Sequence, residues 1–243
     1  MDVTDITPLL DFRRQSARMH EEGFASDDDE EWLGFNDLFS PAPLVPPGAE
    51  TFEFSAPGRV LRLTQSISSF TRRDGEAAGA ADTGADRARN TSALIWDASV
   101  VLASWFAQHH AALLPVGASC VELGAGMGLA GLTAAACGYP TTLTDRAEAL
   151  PPLRRAVECN GLQTCARVAE LPWGCREAAR NVQAQAQQQS QPQPQQGEAR
   201  GERGADAAAL PAVGCLLLAD VVYDAHLISP LFASVRHLSD RDT

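Results

Sequence analysis

The sequence predicts an α/β fold in which a parallel sheet carries helices on both faces. From Ser92 onward, short apolar segments that fit buried strands alternate with longer segments whose apolar residues recur at helical spacing. A glycine-rich turn follows the first of these strands, and an acidic residue ends the second. This alternation is typical of strand–helix–strand units, whose successive strands run parallel.

Composition limits the class of protein. The chain has 243 residues and is 45% hydrophobic, which is enough for one domain with appendages. Its formal net charge is −12 and it contains no lysine, so its surface repels phosphate backbones. We therefore expect no nucleic-acid partner. The acidity favours a basic protein partner, or it serves only to keep the protein soluble.

The sequence gives only general signals about location. It shows no signal-peptide pattern and no apolar run long enough for a membrane helix, so no membrane partner is expected. Its six cysteines form no CxxC pair and no metal-ligand spacing, as in a protein with reduced thiols and no metal site. These features predict a cytoplasmic location, or a nuclear one in addition.

The first part of the chain divides into a leader and a hairpin. Residues 1–50 combine an acidic run with a proline-rich stretch, which predicts a disordered leader. A domain is expected over 51–243, and it begins with a β-hairpin whose second strand spans Val60–Ile67, after the turn at Pro57 and Gly58. Residues 74–90, rich in Ala, Gly and Asp, predict a loop insertion.

The remaining elements follow from hydrophobic periodicity. Residues 175–209 are rich in glutamine and poor in bulky apolar residues, so they predict a disordered insertion. The other predicted elements are, in order, a helix over 97–109, a strand over 119–123, a helix over 129–137, a strand over 141–144 that ends at Asp145, a helix over 147–159, a strand over 166–171, a strand over 215–220 and a final helix.

Ligands of parallel α/β sheets bind at the carboxyl ends of the strands, and the glycine turn lies at one such end. Two patterns compete there. Gly126, Gly128 and Gly131 match a dinucleotide fingerprint, which binds a pyrophosphate. Glu122, two residues before Gly124, would oppose a pyrophosphate but suits a ligand with an ammonium and a sulfonium group, as in S-adenosylmethionine.

Two further strand ends carry residues suited to binding adenosine. Asp145 ends the second strand, where an acidic side chain accepts the ribose hydroxyls of either NAD or S-adenosylmethionine, although it could also cap the next helix. Trp173, after the third strand, could wall an adenine pocket or belong to the core.

Asp220 and Tyr223 close the fourth strand. A carboxylate there can orient an amine for methyl transfer, and an aromatic hydroxyl can narrow the channel that admits it. The alternative is that Asp220 caps a turn and Tyr223 packs. Agreement with the other three strand ends favours the catalytic interpretation.

Five segments between about Phe52 and Leu238 resemble, in order, the methyltransferase-family-16 group. They are IWDASVVLASWF, VELGAGMGLAGL, LTDR, ELPWG and LLLADVVYD. Members of this group are S-adenosylmethionine-dependent protein-lysine N-methyltransferases with a Rossmann-like, seven-strand class I sheet. The resemblance implies a protein substrate with a target lysine, such as a chaperone or a translation factor. It also implies a cofactor site lined by Trp96, Gly124, Ala125, Gly126, Asp145, Trp173 and Ala219.

The resemblance further implies that Asp220 and Tyr223 face the target lysine and that the hairpin helps to form the substrate side. It also suggests that C-terminal strands are missing, because the family fold continues for roughly 45–50 more residues. The strand Cys215–Ala219 would then be an exposed apolar edge. Three alternatives stay open: a small-molecule N- or O-methyltransferase, a non-catalytic cofactor-binding protein and, last, an NAD-linked oxidoreductase.

Overall fold

The computed structural model of the chain describes residues 44–45, 49–65, 91–190 and 213–239. Most of the predicted leader, the insertion at 74–90 and the 191–209 part of the second predicted insertion lie outside these ranges. In chain order the elements are β1 (Thr51–Ala56), β2 (Arg59–Thr64), α1 (Asp97–Leu113), β3 (Cys120–Leu123), α2 (Leu129–Ala136), β4 (Thr141–Asp145), a 3₁₀ turn (Ala147–Ala149), α3 (Leu150–Cys159), β5 (Ala166–Glu170), α4 (Arg176–Ser190), β6 (Cys215–Leu218) and α5 (Ala225–Ser239).

The main sheet is parallel and has the strand order β5-β4-β3-β6. The chain adds β4 and β5 on one side of β3 and then crosses to place β6 on the other side. The order therefore reverses between β3 and β6, and a crevice opens beyond their carboxyl ends, where such sheets bind ligands. The predicted α/β class with a parallel sheet and flanking helices is confirmed.

Helices cover both faces of the sheet, which explains why β3 is buried along its whole length. Successive side chains of a strand point to opposite faces. Val121 and Leu123 pack in one apolar cluster with α4 and α5, whereas Cys120 packs with Phe106 of α1 in another. On that second face Glu122 accepts a hydrogen bond from α2.

The predicted hairpin is present as the antiparallel pair β1 and β2. Phe54, Leu61 and Leu63 are almost fully buried in a cluster that they share with α2 and α3. Asn160, just after α3, binds the β2 backbone in both directions, accepting from Arg62 N at 2.7 Å and donating to Arg62 O at 2.8 Å. The hairpin thus lies against these helices, and none of its described residues lines the cavity at the strand ends, so its contribution to the substrate side stays a prediction.

Helix α4 corrects the prediction that residues 175–209 form a disordered insertion. Its residues 176–190 form a helix that packs on α5. The predicted disorder rested on the lack of bulky apolar residues, but the small buried stripe of Ala179, Val182 and Ala186 is enough for close packing. Alanine and glutamine also have high helix propensity.

Strand β6 is the outermost strand on its side of the described part of the sheet. Of its four apolar residues, Leu217 is buried and the other three are half-buried. No helix within the described ranges is both long and apolar enough to cross a membrane.

Candidate functional site

A cavity of about 280 Å³ opens at the carboxyl ends of the parallel strands, between β3 and β6. Its size is close to the lower end of typical ligand pockets. The structure brings all ten residues that the sequence singled out to the wall of this one cavity: Trp96, Glu122, Gly124, Ala125, Gly126, Asp145, Trp173, Ala219, Asp220 and Tyr223.

The glycine turn after β3 forms the floor of the cavity. Gly124 and Gly126 have φ angles of +64° and +54°, which L side chains rarely adopt. A Cβ on Gly124 would lie 2.9 Å from Cζ2 of Trp173, and a Cβ on Gly126 would lie 3.4 Å from the carbonyl oxygen of Ser92. The glycines thus let the indole and the residues at 91–92 approach the backbone closely.

Asp145, at the end of β4, fixes this turn. Its Oδ2 accepts a hydrogen bond of 2.8 Å from Gly126 N, and its Oδ1 accepts one of 2.7 Å from Arg146 N. Burial raises the pKa of Asp145, although these two backbone donors oppose the shift. Each carboxylate oxygen can accept more than one hydrogen bond, so acceptor capacity is left for a ligand hydroxyl.

Glu122 lies behind the turn and is 2% exposed. Its Oε2 accepts a hydrogen bond of 2.9 Å from Gly131 N in α2. Burial raises the pKa of Glu122 to about 8; the Gly131 N–H opposes this shift, and the charge of Asp145 adds to it. Glu122 is therefore mostly neutral at pH 7 in the ligand-free protein. Glu122 was expected from the sequence to carry a negative charge, and its carboxyl group would be ionised at this pH when a cation lies near it.

Two indoles line the cavity from different elements. Trp96, immediately before α1, is 40% exposed, and its Nε1 donates to Thr91 O at 2.9 Å. Trp173 follows β5 and is half-buried against the apolar cluster under α4 and α5. Gly174 N donates to Ser234 Oγ of α5 at 2.8 Å, so the segment carrying Trp173 is tied to the helix beside it.

Asp220 and Tyr223 lie at the mouth of the cavity, just beyond β6. Asp220 has a φ of +55° and is the only non-glycine with positive φ in the described ranges, a conformation that is strained for most residues but tolerated by aspartate. Partial desolvation raises the pKa of its carboxyl group, and Asp97 raises it further. Tyr223 is 57% exposed, and partial burial of its phenol raises its pKa, although Arg146 opposes this shift.

The charges around the cavity favour a cationic ligand. Two acidic side chains, Asp145 and Asp220, line it together with the mostly neutral Glu122, and Arg146 carries the one guanidinium among its described lining residues. A diphosphate would meet these carboxyls unfavourably, whereas a ligand with an ammonium and a sulfonium group would be stabilised by them. Within the described ranges no group of three or more His, Cys, Asp or Glu side chains is placed to hold a metal ion.

Sequence reasoning missed several residues of the wall. Thr91 and Ser92 lie opposite the glycine turn, and Arg146 lies beside Asp145. Arg146 directly follows a residue that was singled out, so chain proximity could have suggested it. Thr91 lies five residues before Trp96, and nothing in its own sequence context marks it as part of the wall.

Comparison with known proteins supports the resemblance found in the sequence. Residues 82–191 match the family model of methyltransferase family 16, described as lysine methyltransferase. The protein N-lysine methyltransferase METTL21A of Mus musculus is 44% identical over 91 residues, which cover 36% of this chain and 41% of the relative. The METTL21A protein of Danio rerio is 42% identical over 86 residues, which cover 34% and 38%.

These matches confirm the predicted resemblance to the lysine methyltransferase family. The chain spans 41% and 38% of the length of these two curated relatives. The family match ends at residue 191, so Asp220 and Tyr223 lie outside the matched range.

Proposed function

We propose that this chain, whose residues 82–191 match the lysine methyltransferase family, binds S-adenosylmethionine and transfers its methyl group to a lysine side chain of another protein. The observation that carries the proposal is the lining of the cavity at the β3–β6 crevice. A glycine turn, an acid at the end of β4 and an acid with an aromatic residue at the end of β6 meet there around three carboxyl groups.

The residues fit the cofactor. Gly124 lets the Trp173 indole pack directly against the turn, because a Cβ at this position would lie 2.9 Å from Trp173 Cζ2, and the indole is thereby held at the cavity wall. Asp145 would accept the ribose hydroxyls, Trp96 and Trp173 would wall the adenosine, and Ala125, Gly126 and Ala219 would give backbone contacts without bulk. A cationic ligand near Glu122 would favour the ionised form of that carboxyl group.

When bound, S-adenosylmethionine supplies a methyl group on a sulfonium sulfur; attack by a neutral amine forms the carbon–nitrogen bond while the carbon–sulfur electron pair leaves on sulfur. A free lysine is protonated at neutral pH and must lose a proton before it attacks. Asp220 would hold the incoming ammonium at the mouth and orient the amine, and Tyr223 would narrow the entrance and exclude water.

The substrate would be a protein whose target lysine lies in a basic segment. The chain carries a net charge of −12, and Asp97 lies close enough to Asp220 to raise its pKa, so the mouth itself is acidic. Complementary charge speeds the association of such partners. Whether the substrate is a chaperone or a translation factor, as the resemblance implies, stays a prediction.

Calorimetric titration with S-adenosylmethionine tests the cofactor part of the proposal. We expect binding to the 243-residue chain that Asp145→Ala weakens by about 10- to 100-fold, the range for losing charge-assisted hydrogen bonds. NAD titrated in parallel is the control ligand. Binding of NAD and not of S-adenosylmethionine would overturn the assignment.

Mass spectrometry of candidate substrates tests the transfer. Because the chain contains no lysine, methylated lysine in the mixture can only come from the substrate. We expect transfer that Asp220→Asn abolishes or strongly reduces. Cofactor binding without transfer to any lysine-containing protein would contradict the enzymatic proposal and favour the non-catalytic binding protein.

A further inference from the structure

Cys120 and Cys215 face each other across the first residues of β3 and β6. They are register partners in the parallel pair that these two strands form. Directly opposed residues on neighbouring strands have Cα atoms roughly 4.8 Å apart, and a disulfide bridges Cα atoms that are about 4.4–6.8 Å apart. They are also the only cysteines in the described strands. The backbone therefore places these two thiols at a separation that a disulfide can span.

Both side chains lie on the same face of the sheet. Cys120 is fully buried in an apolar cluster with Phe106 of α1, and Cys215 packs against that same cluster. Leu216, the next residue of β6, packs in the cluster on the opposite face, as the alternation of side chains along a strand requires. The two sulfur atoms therefore share one side of the β3–β6 pair.

The backbone around Cys215 is held closely against β3. Gly214 N and Cys215 N both donate to Ser119 O, at 2.9 Å and 3.0 Å. A Cβ on Gly214 would lie 3.0 Å from Cβ of Ala118, so the glycine lets the two chain segments approach at this point. These contacts fix Cys215 in its position opposite Cys120.

The two thiols differ in access and in acidity. Cys120 is buried, whereas Cys215 is half-buried, so a small oxidant reaches Cys215 first. A hydrogen bond with the Cys120 thiol lowers the pKa of Cys215, although partial burial opposes this shift. The same hydrogen bond and burial raise the pKa of Cys120. Because the thiolate is the reactive form, Cys215 is suited to react first and Cys120 to react second.

We propose that Cys120 and Cys215 are a redox-active pair, which a hydroperoxide converts to a disulfide that ties β6 to β3. With hydrogen peroxide, the Cys215 thiolate attacks one peroxide oxygen, the O–O bond breaks, and the departing hydroxide takes up the thiol proton to become water. The Cys120 thiol then attacks the sulfenic sulfur of Cys215: the S–S bond forms, the S–O bond breaks, and a second water leaves with the Cys120 proton. The pair loses two electrons, and hydrogen peroxide is reduced to two waters.

The position of the pair predicts its effect. Strand β6 is the outermost strand on its side of the described sheet, and it leads into the segment with Asp220. A disulfide at its first residue closes a long loop of chain, which restricts the unfolded state and so stabilises the fold. The pair lies at the amino ends of the strands, and the cavity lies at their carboxyl ends. The chemistry of the pair therefore does not depend on the proposed methyltransferase function.

Peptide mapping after oxidation tests the pairing. The reduced 243-residue chain is treated with hydrogen peroxide in dilute solution, its remaining thiols are alkylated, and it is digested with trypsin. Cleavage after arginine places Cys120 in peptide 90–146 and Cys215 in peptide 204–236. We expect a link between these two peptides that dithiothreitol removes.

A matched variant is needed because peptide 90–146 also contains Cys137, a half-buried thiol beside the same cluster. Cys137→Ala should keep the link, and Cys215→Ala should lose it. Chymotrypsin, which cleaves after the leucines between Cys120 and Cys137, makes the same distinction in the wild-type chain, so the test stands even if a variant folds poorly. Absence of the link, or a link through Cys137, would overturn the inference.

Urea unfolding tests the consequence. The oxidised chain should unfold at a higher urea concentration than the reduced chain, and dithiothreitol should reverse this shift. Cys215→Ala is the control and should have the same midpoint before and after treatment with peroxide. Equal midpoints for the oxidised and reduced wild-type chains would show that the disulfide does not hold β6, and would overturn this part of the inference.

Discussion

Glu122 shows how one buried carboxyl group can link ligand charge to protonation. It is 2% exposed, hydrogen-bonded to Gly131 N and close to Asp145, and burial raises its pKa to about 8. The group folds in its neutral form at neutral pH, whereas an unfolded chain would leave it ionised above its ordinary value of 4.5. Folding therefore takes up a proton at this residue.

This proton uptake predicts a stability that falls as pH rises. Because the folded-state pKa of Glu122 is the higher one, its contribution is fully present below about pH 4.5 and is lost progressively up to about pH 8. The loss amounts to about 5 kcal/mol at most. Glu122→Gln keeps an oxygen to accept from Gly131 N and has no charge to bury, so it should be more stable than wild type at pH 8 and similar at pH 5.

Urea unfolding over this pH range measures the effect. Asp145 also has a raised pKa and is present in both proteins, so the difference between the two curves reports the charge of Glu122, including its interaction with Asp145. Glu177→Gln, on the exposed side of α4, is the matched control and should follow wild type. Parallel curves for wild type and Glu122→Gln would mean that Glu122 is ionised in the folded protein.

The positions of the site residues could be predicted because each belongs to a strand end. Glu122 lies in β3, Asp145 ends β4 and Asp220 follows β6, and the parallel topology brings the carboxyl ends of these strands together. Their protonation could not be predicted, because it depends on how deeply neighbouring helices bury each carboxyl group.

At the scale of elements, α4 is the main departure from the sequence prediction. Its sequence, REAARNVQAQAQQQS, offers no large apolar residue except valine, and its glutamines suggest low complexity. The structure nevertheless buries Ala179 and Val182 in a cluster with Leu231 and Leu238 of α5. Gln183 Nε2 also donates to the Leu238 carbonyl at 3.2 Å. Small residues allow two helices to pack closely, and hydropathy alone does not signal this.

A pair of alanine substitutions tests whether α4 is part of the folded domain. Ala179 is fully buried and Ala184 is exposed on the same helix. Ala179→Gln forces a longer polar side chain against α5 and should lower the free energy of unfolding by about 1–3 kcal/mol. Ala184→Gln should change it by less than about 0.5 kcal/mol. Chemical denaturation measures both, and equal, small effects would show that α4 does not pack as described.

For the whole molecule, the hairpin and the sheet are joined through one apolar core. Leu61 of β2 and Leu132 of α2 are both fully buried in the same apolar cluster. Two polar links add to this cluster. Asn160 binds both backbone groups of Arg62, and Gln65 Oε1 accepts from Ile95 N, next to the cavity, at 3.0 Å. The hairpin was predicted from its alternating pattern, but its shared core with α2 and α3 depends on tertiary packing that no local pattern encodes.

A shared core predicts that a destabilising substitution in α2 also destabilises the hairpin. Leu132→Ala should lower the free energy of unfolding by about 2–5 kcal/mol, the usual effect of a cavity in a core. The β1 and β2 amides should lose protection against hydrogen exchange by the same free energy. This is expected if these amides exchange only when the hairpin and the sheet unfold together. Val60→Ala, at a hairpin side chain that is 47% exposed, is the control and should leave protection nearly unchanged. If the hairpin amides kept their protection in Leu132→Ala while the sheet amides lost it, the hairpin would open as a separate unit. Its packing would then stabilise the cavity less than the shared core implies.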